Sequence, residues 1–151
     1  MNRTTKNISK KRINKVQHIL LDTNVVIDML VKREPFANDA LEIFELIESG
    51  DVKAHVCATT VTTVDYLVTK FVGSAQSRKL ITFLMSLCDV ADVSKRVLQA
   101  ALDAPMSDFE DAVIAESAKA SGIPTIITRN SKDFVGCGLN VYSPGEWLAA
   151  P

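Results

Sequence analysis

Four aspartates stand where a folded chain has little structural use for a charge: Asp22, Asp65, Asp111 and Asp133. Asp22 closes the apolar run in HILLDTN. Asp111 lies three, four and seven residues before Ile114, Ala115 and Ala118, so it shares their helical face. That face must pack inward, and burying a lone charge is very costly. Asp65 sits between Val64 and the Leu67/Val68 pair, just after AHVCATT, and Asp133 follows PTIITRN. Acids gathered at one place repel one another unless a cation sits between them. An all-oxygen donor set suits Mg2+ or Mn2+ rather than zinc or copper. Such an ion engages a phosphate oxygen and acidifies bound water, the chemistry of metal-assisted phosphodiester hydrolysis.

The elements that must position these acids alternate between strand and helix. HILLD, AHVCATT, DVADVS, PTIITRN and LNVYS read as strands. Helical spacing of apolar residues spans 24–31, 38–49, 62–72, 77–88, 95–103 and 107–121, with PGEWLA as a short last helix. Gly50 and Gly122 stand where helices end. Ser107 and Glu110 have the spacing of a capping box, and Asp108 suits the dipole of the same helix. Alternating strands and helices predict an α/β fold, a three-layer α/β/α sandwich around a parallel sheet of four to five strands. The most apolar strands, ILL and TII, belong at its centre. Ligands of such sheets collect beyond the carboxyl ends of the strands, where Asp22 and the TRN segment lie.

The chain of 151 residues is one domain's worth of sequence. Six of its 17 basic residues, and none of its 18 acids, fall in residues 1–17. This divides the chain into a basic N-terminal extension, 1–17, and an acidic domain, 18–151. A basic arm of that kind suits a polyanion. The N-terminus lacks the apolar segment of a secretory signal, and no apolar run approaches the roughly 20 residues of a membrane helix. Cys57, Cys88 and Cys137 form no CxxC pair, so a reducing, cytoplasmic setting is expected.

LDTNVVID, SDFEDAVIAESAKASG and IITRNSKDF, in this order, resemble the PIN-domain family over roughly residues 18–148. The likeness is to its prokaryotic branch, the VapC-like toxins of toxin–antitoxin pairs. The resemblance implies a parallel sheet flanked by helices, and an Mg2+- or Mn2+-dependent ribonuclease acting on RNA. It implies further a small antitoxin partner that masks the cleft, and a homodimer, for which the helices at 38–49 and 77–88 offer amphipathic faces. Carried over residue by residue, Asp22, Asp111 and Asp133 match the family's metal-holding acids. Asp65 stands where the family usually has Glu, and Asn130 where many relatives have Asp. Thr23, Asn24, Asp108, Thr128 and Asn130 are expected to hold the carboxylates by hydrogen bonds. Arg129 and Lys132 could steer an RNA backbone. The Asp65 and Asn130 departures leave open a weakened scaffold that binds RNA or a protein without cutting. A phosphatase with an aspartyl nucleophile would also begin with an apolar run into Asp. It usually wants a second Asp two residues on, and Asn24 stands there.

Overall fold

A computed structural model describes residues 15–150. Most of the basic extension, residues 1–14, lies outside the described residues, and the first strand begins at Gln17.

Five strands form one parallel sheet: β1 (Gln17–Leu21), β2 (Val52–Cys57), β3 (Asp89–Ala91), β4 (Thr125–Ile127) and β5 (Asn140–Tyr142). Their spatial order is β3-β2-β1-β4-β5. The chain builds outward from β1 to β3, then returns to the other side of β1 for β4 and β5. The order therefore reverses between β1 and β4, and their carboxyl ends border the crevice where open α/β sheets bind ligands.

Alternation along β1 sends Ile19 and Leu21 to one face and Leu20 to the other, all fully buried. The first face packs against α1 (Thr23–Leu30), α2 (Ala37–Glu48), α3 (Ala58–Val72), α4 (Ser74–Leu87) and the terminal α7 (Pro144–Ala149). The second packs against α5 (Lys95–Asp103) and α6 (Phe109–Ala120). Three layers result. Each fully buried Leu, Ile or Val contributes about 1.5–3 kcal/mol relative to exposure.

Local sequence accounts for most boundaries. Gly50, at φ +83°, ends α2 as expected. The gap expected between the helices at 62–72 and 77–88 shrinks to Gly73 alone: its φ of +82° lets the chain leave α3 and enter α4 without an intervening loop. AHVCATT is a strand only as far as Cys57. The β-branched threonines after it read as strand residues, but sheet pairing ends at Cys57 opposite Ala91, and α3 begins at Ala58.

The α2 face suggested for an interface is occupied by the core, since Ala40, Ile43, Phe44 and Ile47 are buried there. On α4 only Ser77 and Leu84 are buried, and Phe83 and Met85 remain exposed. On α5, Val97 and Ala101 pack inward, whereas Leu98 and Leu102, one position round the helix, face outward. All three cysteines are buried and free. Among the described residues, no helix is long and apolar enough to cross a membrane.

Candidate metal centre at the β1–β4 crevice

Asp22 follows the last residue of β1 and caps α1. Its Oδ1 accepts the Thr23 N–H at 2.8 Å, and its own N–H donates to Ile127 O of β4 at 2.9 Å. One carboxylate oxygen is thus used by the helix end. The other, Oδ2, accepts from the Thr128 hydroxyl at 2.7 Å, and the Asn24 amide lies 3.5 Å from both partners. Thr23 turns its hydroxyl to Thr60, 3.2 Å away, tying α1 to α3. Asp22 is only 5% exposed. Burial raises its pKa; the Thr128 and Thr23 bonds oppose this, and the charges of Glu110 and Asp133 add to the rise.

Asp111 lies in the first turn of α6, whose N-cap is Asp108: the Asp108 Oδ1 accepts the Asp111 N–H at 2.9 Å. Burial, followed by the charges of Asp22, Asp108, Asp133 and Glu110, pushes the Asp111 carboxyl up to about 7. Asp133 sits in a 3-10 turn, Ser131–Phe134, after β4, and its N–H donates to Asn130 O at 2.9 Å. The Asn130 N–H donates in turn to the Thr128 hydroxyl at 3.0 Å. Asp22, Asp111 and Asp133, 111 residues apart in sequence at their extremes, are therefore electrostatically coupled at one rim.

Two expected residues are differently placed. Asp65 lies eight residues into α3 because that helix starts at Ala58, and its Oδ1 accepts from the buried Ser77 hydroxyl of α4 at 2.8 Å. Its carboxylate serves helix pairing, and it is not among the charges that perturb Asp22 or Asp111. Arg129 turns away from the acids: its Nε donates to Asp28 at 2.6 Å and its guanidinium covers the Phe36 ring at 3.8 Å. Lys132 is exposed beside Asp133.

Glu110 plays a different part from the one its spacing suggests. Glu110 reads as the second half of a capping box with Ser107. Because α6 starts one residue later, Asp108 takes the cap and Glu110 is released. Its Oε1 lies 3.4 Å from the Thr63 hydroxyl of α3, and its charge bears on both Asp22 and Asp111. The overlapping signature Asp108-x-x-Asp111 is the sequence signal that could have revealed this.

The donor set fits a hard divalent cation. Every charge acting on Asp111 is an acid, so a cation there would relieve the repulsion that, after burial, helps hold its proton on. Among the described residues, no three His, Cys, Asp or Glu side chains form a ready-made ligand group.

A parallel sheet whose order reverses above a crevice of carboxylates defines an acid-centred α/β domain. The profile described as PIN domain matches residues 18–132. The chain belongs to the PIN domain family. No curated protein matches its sequence. Solved structures share the fold at low identity. VapBC2 from Rickettsia felis, bound to a promoter DNA fragment, has a TM-score of 0.66 at 18% identity, covering 83% of this chain and 97% of that one. DNA-bound VapBC from Salmonella typhimurium has 0.66 at 19%, covering 85% and 99%. VapC20 from Mycobacterium tuberculosis, described as a sarcin-ricin loop cleaving toxin, has 0.58 at 15%, covering 72% and 86%.

Proposed function

We propose that the chain is a divalent-cation-dependent endoribonuclease and the toxin component of a toxin–antitoxin pair. The observation that carries the reading is the gathering of Asp22, Glu110, Asp111 and Asp133 at the β1–β4 crevice, where burial first, and the charges of the neighbouring acids next, push Asp111 up to about 7. Asp22, Asp111 and Asp133 would hold Mg2+ or Mn2+, with Glu110 taking the part first expected of Asp65. When bound, the cation supplies an acidified water and neutralises charge on the phosphate. Thr128 and Thr23 orient Asp22, Asp108 fixes the start of α6, and the exposed Lys132 offers a cation to an RNA backbone. The relatives support the same direction, since one is described as a sarcin-ricin loop cleaving toxin and another, from Klebsiella pneumoniae, as a toxin-antitoxin complex. A small antitoxin and a homodimer are the partners this reading implies, and the cytoplasm is its setting.

A second reading has its own observation: Asp65 is held by Ser77, and position 130 supplies an amide instead of a carboxylate. On that reading the domain binds RNA or a protein without cutting. Incubating a panel of RNAs with Mn2+ or Mg2+, against chelator and Asp22→Asn controls, separates the two. Cleavage abolished by both controls supports the nuclease. Mn2+-independent RNA binding with no cleavage supports the scaffold.

A further inference from the structure

Asp28 is the other buried acid among the described residues, 1% exposed, and the acid cluster does not use it. It lies one helical turn after Asn24, on the same side of α1. Together the two residues grip Arg129 at both ends. Asn24 Oδ1 accepts the Arg129 backbone N–H at 3.2 Å, while the Asp28 carboxylate accepts from Nε at 2.6 Å and Nη2 at 3.3 Å. Phe36 closes the far side of the guanidinium. The Arg33 Nε stands 3.7 Å from Asp28.

A buried ion pair is often no better for stability than an apolar pair of the same shape. What a forked arginine–carboxylate contact supplies is fixed geometry. Here the fixed residue stands between Thr128, which donates to Asp22, and Asn130, whose carbonyl receives the Asp133 N–H. We propose that Asp28 is a positioning residue for the acid centre: by clamping Arg129 it sets the turn after β4 against α1, and so the spacing of Asp133 and Thr128 from Asp22. This inference rests on the metal-centre reading above.

The test uses Asp28→Asn and Arg129→Lys, the latter keeping the charge but losing the fork. In metal-free protein, amide exchange by NMR should accelerate at least tenfold at Arg129 and Asn130 in both variants, with Val56 in β2 unchanged. Mn2+ affinity, followed by electron paramagnetic resonance, should fall about tenfold, the order seen when partners of metal ligands are removed. RNA cleavage should lose kcat with KM little moved. Acceleration at Val56 as well would reduce Asp28 to a general stability role and overturn the proposal. So would local loosening with unchanged Mn2+ affinity, or no loosening at all. In each of those cases the metal-centre reading survives if the wild-type protein binds Mn2+ and Asp22→Asn does not. Failure of the wild-type protein to bind Mn2+ overturns both.

Discussion

The Thr128 hydroxyl donates to the Asp22 carboxylate across 2.7 Å, joining residues 106 positions apart at the ends of neighbouring strands. Thr128 is fully buried. Its oxygen also accepts the Asn130 N–H at 3.0 Å, so one hydroxyl links the two strand ends that form the crevice.

Removing that hydroxyl should therefore be felt twice. Thr128→Val keeps the shape but leaves a buried carboxylate oxygen and an amide short of a partner, a loss of about 1–3 kcal/mol. Metal affinity should fall 10–100-fold. Chemical denaturation and Mn2+ titration of the same sample check both halves.

Asp22→Asn should separate activity from stability. Burial, with a smaller part from the charges of Glu110 and Asp133, raises the pKa of this carboxylate. Replacing it with an amide removes repulsion; its oxygen can still accept the Thr23 N–H, and its NH2 can donate to the Thr128 hydroxyl. Cleavage should drop at least 100-fold while the metal-free Tm at pH 8 stays level or rises. A parallel loss of Tm would mean that the residue serves folding alone.

The raised acids give the metal-free protein a predictable pH dependence. Asp111, at about 7 in the fold, exceeds its ordinary value of 3.8, so the folded state keeps a proton that the unfolded chain releases. Between those two values, stability falls as pH rises. Asp22 acts in the same direction. Thermal melts from pH 4 to 8 should show Tm decreasing through this window. Saturating Mn2+ should flatten the decrease, because the cation binds the deprotonated form. Asp111→Asn should flatten it without metal.

Glu110 and Asp65 should exchange the roles their sequence positions suggest. Glu110→Gln removes a charge acting on Asp22 and Asp111, and should weaken Mn2+ binding several-fold with little effect on Tm. Asp65→Asn weakens the link to Ser77 and should cost about 1 kcal/mol, leaving Mn2+ affinity unchanged. Isothermal titration and thermal melting, run on both variants, read the four outcomes.

The sequence by itself determined the parallel α/β plan, because apolar runs bounded by turns and 3.6-residue periodicity are local signals that burial on both sides of a sheet imposes. It also set Asp22 and Asp133 beyond the ends of central strands, and Asp111 on a helical face that packs inward. Only the tertiary structure decided which charges meet. The start of α6 at Phe109 frees Glu110, and the start of α3 at Ala58 carries Asp65 two turns from the rim to Ser77. The packing of α1 against the turn after β4 hands Arg129 to Asp28 instead of to the crevice. A shift of one residue rotates a helical side chain by about 100°, and Coulomb energies between exposed charges fade within about 10 Å. Small choices of register, made by long-range packing, therefore decide the membership of the site.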